Sequence, residues 1–204
     1  MIKLFLKAKH WQLFLLLLGI PLAFQFYMIF SMFSDFESNS NPNTESMMGF
    51  FGLFPLIMIL FTGLFFGWFW SIAIGLKEKI PTEIKMKTKK FKLFFFFPLV
   101  YILVLMIYMT GLFSGIKTAG FELGNWIVAI ILPLHIFSMF CIFYSMYYVA
   151  KTIKTAELKR EVGFGEFAGE FFLLWFYFIG IWIIQPKINK LAEDKNTTAN
   201  TVYN

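Results

Sequence analysis

Four uninterrupted apolar runs, at about residues 11–33, 49–76, 93–115 and 126–149, leave this chain only lipid as a solvent in which to fold. Crossing about 30 Å of hydrocarbon takes roughly 20 helical residues, and each run is long enough. A backbone in lipid must satisfy its own hydrogen bonds, so apolarity sustained over this length specifies helix. The expected fold is all-α, a polytopic transmembrane helical bundle in a single domain over 1–195, followed by a polar tail at 196–204. Composition agrees. Charged residues make up 15% of the chain, against about 25% in a soluble domain. That is too few to cover a water-facing surface.

Position along the chain explains the basic excess. Of 18 basic residues only Arg160 is Arg, and no soluble module remains to read nucleic acid. Lys3, Lys7 and Lys9 precede the first run; seven lysines from Lys77 to Lys92 follow the second; Lys151, Lys154, Lys159 and Arg160 follow the fourth. The two opposite loops hold Lys117 with Asp35, Glu37, Glu45 and Glu122. Positive residues stay on the cytoplasmic side, so the N-terminus is expected inside, in a bacterial inner membrane. The first run is longer than a signal-peptide core and no small-x-small site follows it, which favours a signal anchor or first span over a cleaved leader.

A fifth apolar stretch leaves two readings open. Phe171–Ile184 has the length of a re-entrant or interfacial segment, whereas 164–185 would span at the cost of bringing Glu166 and Glu170 to the membrane. Pro186 is its expected end.

Each of the four long runs contains Pro-Leu, at Pro21, Pro55, Pro98 and Pro133. The near-equal offsets fit two parallel two-helix repeats, or simply the tolerance of membrane helices for proline.

Gly63, Gly67, Ser71 and Gly75 recur every fourth residue and form a small-residue row that admits another helix to backbone contact. That helix belongs either to the same chain or to a homodimer partner. On the fourth run His135, Ser138, Cys141, Ser145, Tyr148 and Thr152 share a face. An ionisable group such as His135 inside a membrane is a functional candidate; its structural alternative is a neutral ring bonded to a neighbour, with Tyr108 or a carbonyl freed by Pro133 as the expected partner. Glu166 and Glu170, one turn apart, have the chemistry to bind a cation or relay a proton, or to complement a helix N-terminus. The Lys77–Lys92 loop has the charge to bind anionic lipid headgroups, although its topological role alone accounts for it.

Enzyme signatures are absent. His10 and His135 are the two histidines, Cys141 is the single cysteine, and no HExxH, nucleophile elbow or phosphate-binding glycine loop occurs. No cofactor, disulfide or cysteine-based metal site is expected. The C-terminal run E-F-F-L-L-W-F-Y-F-I-G-I-W-I-I-Q-P-K-I-N, Glu170 to Asn189, resembles the ending of small multi-pass inner-membrane proteins of Bacteroidota-type bacteria. The resemblance implies a bacterial inner-membrane protein and assigns no functional residue; Trp175 and Trp182 read as interfacial, and Gln185-Pro186 as a helix stop. The functional expectation is a non-enzymatic accessory, immunity or assembly component acting through helix–helix contacts. The rival is a small transporter or channel subunit with His135 in its pathway, and a lipid-modifying enzyme ranks third.

Overall fold

The computed structural model describes residues 2–38, 44–113 and 126–193, with side chains described over 2–34, 54–108 and 129–193. The side chains of Asp35, Glu37, Glu45, Lys117 and Glu122, and the tail at 196–204, lie outside that set. All the regular structure described is helical: α1 (Ile2–Lys7), α2 (His10–Phe14), α3 (Ile20–Ser38), α4 (Thr44–Gly75), α5 (Thr88–Phe113), α6 (Trp126–Leu158), α7 (Phe164–Trp175) and α8 (Tyr177–Glu193). A π-helical turn, Leu15–Gly19, joins α2 to α3, and a 3₁₀ turn, Leu76–Lys79, ends α4.

Four helical stretches are long and apolar enough to cross a membrane: His10–Ser34, Phe54–Lys79, Thr88–Tyr108 and Ala129–Leu158. Pro55, Pro98 and Pro133 sit inside continuous helices. Pro21 differs. Its missing N–H frees the carbonyl four residues back, and the π turn directly before it is where the ladder takes up that defect.

The fourth run continues nine residues past its expected end at Val149, to Leu158. Nothing in K-T-I-K-T-A-E-L breaks a helix, and Thr152, Ile153, Thr155 and Ala156 are all fully buried. The helix stops at Lys159, whose φ of 53° is left-handed, as helix C-termini commonly are. Its amine donates to the Lys79 carbonyl at 2.7 Å, tying the end of α6 to the end of α4.

The fifth apolar stretch is not one continuous helix. It breaks at Phe176 into α7 and α8, and at 1.5 Å per residue the 12 residues of α7 cover only about 18 Å. The break is tight: a Cβ on Gly180 would overlap the Leu173 carbonyl oxygen, so only glycine fits. The result is a helical hairpin with both ends at the lysine-rich end of the bundle. Its tip, including Phe172, Trp175, Phe176 and Ile179, is exposed to the surroundings. Pro186 is not the end of the segment, nor is Gln185-Pro186 a helix stop, because α8 runs on to Glu193. Continuing past Pro186 loses a backbone hydrogen bond but carries Lys187, Ile188 and Asn189 onto partners elsewhere in the fold.

The small-residue row is filled from within the chain. A Cβ on Gly75 would meet Leu6 at 2.6 Å and Ile2 at 2.8 Å, and one on Gly67 would meet the Phe5 ring at 3.1 Å. Ser71 turns its hydroxyl back to the Gly67 carbonyl at 2.7 Å. Helix α1 therefore seats its side chains directly on the α4 backbone. Gly63 faces open space, so the packed row comprises Gly67, Ser71 and Gly75.

Candidate functional site

The chain breaks between α1 and α2, and that break orphans carbonyls. Lys9 donates its N–H to the Gln12 side chain at 2.9 Å rather than back into α1. The Phe5, Leu6 and Ala8 carbonyls are met instead by α8, some 180 residues away. Gln185 donates its amide to Phe5 O at 2.8 Å and Ala8 O at 2.9 Å, and its oxygen accepts the Trp68 indole N–H at 2.9 Å. One turn on, Asn189 donates to Leu6 O and Ala8 O, both at 3.2 Å. Gln185 is fully buried. Both of its N–H donors and its oxygen are engaged in joining α1, α4 and α8, as a buried amide requires. Trp182 extends the same seam, its ring 4.7 Å from that of His10 and 5.4 Å from that of Phe14.

Beside this clamp lies a closed ring of charge. Glu170 pairs with Lys187 at 2.7 Å and with Lys154 at 3.5 Å; Glu157 pairs with the same lysines at 2.7 and 3.0 Å. Two cations and two anions from α6, α7 and α8 thus neutralise one another. Glu166 takes no part. It binds Arg160 through both oxygens and accepts the Gly163 N–H at 2.9 Å, capping α7. The Arg160 hydrogen bond, with the Gly163 N–H second, holds the Glu166 carboxyl below the usual carboxylate range. The two glutamates therefore do not converge on a common ligand; Glu166 complements a helix start, and Glu170 rivets the hairpin to α6.

The polar face of α6 divides. Ser138, Cys141, Ser145, Tyr148 and Thr152 are buried, and Ser145 and Thr152 donate to their own helix at Cys141 O (2.9 Å) and Tyr148 O (2.8 Å). Such back-bonding lets a hydroxyl sit in an apolar contact without another helix. His135 lies at the end of this face farther from the lysine-rich segment and is exposed. Its Nδ1 shares a 3.3 Å hydrogen bond with the Tyr101 hydroxyl. The expected partners were Tyr108 or a carbonyl near Pro133; Tyr101 takes the place because α5 and α6 cross with it, not the half-buried Tyr108, at that level. Among the described residues no group of three or more His, Cys, Asp and Glu could hold a metal ion.

Three apolar grooves and one polar cavity are among the openings on the described surface. The grooves, of about 700, 680 and 800 Å³, lie between α1, α4 and α5, between α5 and α6, and along α1–α2. The polar cavity, of about 420 Å³, is lined by Lys85, Lys87, Tyr144, Tyr147, Lys151 and Glu161, with Tyr148 behind them. His135 lines none of the four.

Sequence reasoning missed the clamp, the ring and the cavity. The spacing of four between Gln185 and Asn189 puts two amides on one face of an otherwise apolar stretch, and Lys187, two residues from each, lies on the other side. Tyr144, Tyr147 and Lys151 likewise follow a 3–4 spacing. Comparison of the chain with protein-family models, curated proteins and solved structures finds no match. What the observations establish is a helical protein with four helices able to cross a membrane, braced at one end by a buried amide clamp and a neutral ion-pair ring.

Proposed function

We propose that the protein is a non-enzymatic multi-pass component of the bacterial inner membrane, N-terminus inside, acting through helix–helix contacts as an accessory, immunity or assembly subunit. The supporting observation is the first span. Only 11% of its apolar window is buried, against 44% for the second span. Phe26, Tyr27, Phe30 and Phe33 of α3 all stand clear of the bundle. The occupant we assign to this face is an apolar helix of another membrane protein. The small-residue row, which would have formed a homodimer seam, is taken up by α1. We rank the transporter reading second, because His135 is exposed and lines none of the four openings described above.

A photo-crosslinking residue at Phe30, irradiated in membranes of cells producing the full chain, tests the proposal. A discrete heterologous adduct is expected, absent when the probe replaces Phe69, which is buried. Adducts to lipid alone, or to a second copy, would overturn it. Orientation is tested separately in a Cys141→Ser background: Ser40→Cys should label from outside intact cells and Met86→Cys should not, and the reverse would invert the topology.

A further inference from the structure

The polar cavity at the lysine-rich end has features that the helix-contact reading does not use. Lys85 and Lys87 come from the turn before α5, and Tyr144, Tyr147 and Lys151 from the final turns of α6. The turn is fixed rather than loose. Thr88 N–H donates to Met86 O at 2.8 Å, and the Thr88 hydroxyl meets the buried Tyr148 hydroxyl at 2.9 Å. Tyr148 in turn stacks on Phe91 at 4.4 Å. The two lysines are therefore held against α6 by a hydroxyl pair and an aromatic stack. Three lysines against one carboxylate leave the cavity a charge of +2, since Glu161 pairs only with Lys151, at 3.5 Å.

What leads away from the cavity identifies the ligand. Tyr144 lies 4.8 Å from Phe94, which continues to Phe140 at 6.1 Å and Phe137 at 6.4 Å; Phe97 meets Phe137 at 4.7 Å. These rings form an aromatic track along the α5–α6 seam, directed from the charged end into the membrane-spanning part. Phe137 and Phe140 are exposed along it. A cationic mouth with phenol hydroxyls, leading onto a seam of aromatic rings, matches a molecule that is anionic at one end and hydrocarbon beyond.

We propose that this cavity is a specific site for the phosphate headgroup of an anionic phospholipid, whose acyl chain lies along the Phe94–Phe140 track. Lys85, Lys87 and Lys151 contact the phosphate, and Tyr144 and Tyr147 flank it. The site depends on the lysine-rich end lying at a membrane surface, whichever side of the membrane that is, and is independent of any partner at α3. Free phosphate shares the headgroup chemistry but would leave the aromatic track unused.

The test is lipid retention by the full-length detergent-purified protein, read by native mass spectrometry after addition of phosphatidylglycerol, phosphatidylcholine or inorganic phosphate. Phosphatidylglycerol should be retained over phosphatidylcholine. Lys85→Gln/Lys87→Gln should weaken retention by roughly tenfold or more, in line with the contribution of each lysine near an anionic surface. Lys89→Gln/Lys90→Gln removes equal charge from two exposed lysines outside the cavity and should retain lipid as the parent does. Phe140→Ala, on the aromatic track and outside the cavity lining, should weaken lipid binding and leave any phosphate binding unchanged. Equal losses in both lysine pairs would reduce the effect to diffuse charge and overturn the site. Equal retention of the two lipids, or binding of phosphate without lipid, would overturn it as well. The thermal midpoint of each variant without added lipid confirms folding, and a variant that fails it is replaced by Lys151→Gln.

Discussion

Replacing Gln185 by Met keeps most of the side-chain volume and deletes every hydrogen bond the amide makes, so it isolates the clamp. The Trp68 indole N–H and the Phe5 carbonyl lose the amide as partner, while Ala8 keeps Asn189. Two scales bracket the cost. Polar contacts between membrane helices average about 0.6 kcal/mol each, which for three bonds gives about 2 kcal/mol. Orphaning a buried group costs about 1–3 kcal/mol, and two groups are orphaned. With Gln185 wholly inaccessible, no water replaces it, and we expect a loss of about 2–4 kcal/mol. For a chain of this size that corresponds to a midpoint lower by roughly 5–15 °C.

The assay is thermal unfolding in one detergent, followed by far-ultraviolet circular dichroism, with Trp68→Phe and the double variant completing a cycle. Because Trp68 donates to the amide that Gln185→Met removes, the double variant should be less destabilised than the sum of the singles, with a coupling above about 0.5 kcal/mol. Strict additivity, or a Gln185→Met midpoint within roughly 2 °C of the parent, would refute the clamp as a source of stability. Gln185→Glu adds a pH signature. Burial raises a folded-state carboxyl pKa, and only the protonated form donates to a carbonyl. This variant should therefore be most stable in acid and lose stability as pH rises.

Gly75→Leu should lift α1 from α4 and lower the thermal midpoint, because Leu6 and Ile2 already stand within 2.8 Å of the added Cβ, whereas Gly63→Leu should not. Gly180→Ala forces a methyl onto a backbone oxygen and should cost more than about 2 kcal/mol, read as exposure of the hairpin to protease. His135→Gln and His135→Leu should both stay within about 0.5 kcal/mol of the parent, since the ring is exposed and its single bond to Tyr101 is long; a large loss for Leu would return His135 to the interior. The Arg160–Glu166 pair contributes stability above the ordinary glutamate pKa, and the contribution disappears as pH falls through the lowered folded-state value. Arg160→Gln should accordingly flatten the acid limb of a stability–pH curve, and an unchanged limb would rule the pair out as its source.

The spans were legible because length and apolarity are read along one dimension. The faces were not. Core and lipid are both apolar, so the two sides of a membrane helix differ little in polarity, and the sequence does not say which side of α6 turns inward. That is why His135 and Ser138, three residues apart and assigned to one face, part company: Ser138 is buried and His135 is not. The small-residue row was visible as a packing surface, but not that a six-residue helix from the same chain would fill it. Gln185 was read only as part of a helix stop, because its partners lie 117 to 180 residues away and the four-residue spacing to Asn189 marks a face without saying what packs on it.

The hairpin shows how the charges in the sequence chose between the two readings of the fifth segment. Phe171–Ile184 has 14 residues, about 21 Å of helix, short of the 30 Å core. A span would have had to draw Glu170 or Lys187 inward, at about 2.5–3.5 kcal/mol for a charge near the bilayer centre. Folding back at Phe176, with Gly180 allowing the close return, avoids that cost and brings Lys187 to within 2.7 Å of Glu170. The same reversal delivers Gln185 and Asn189 to the carbonyls left open between α1 and α2. The charges at either end of the segment, one tight glycine and two amides thus act together: each is satisfied by a hairpin, and a straight helix would separate Glu170 from Lys187.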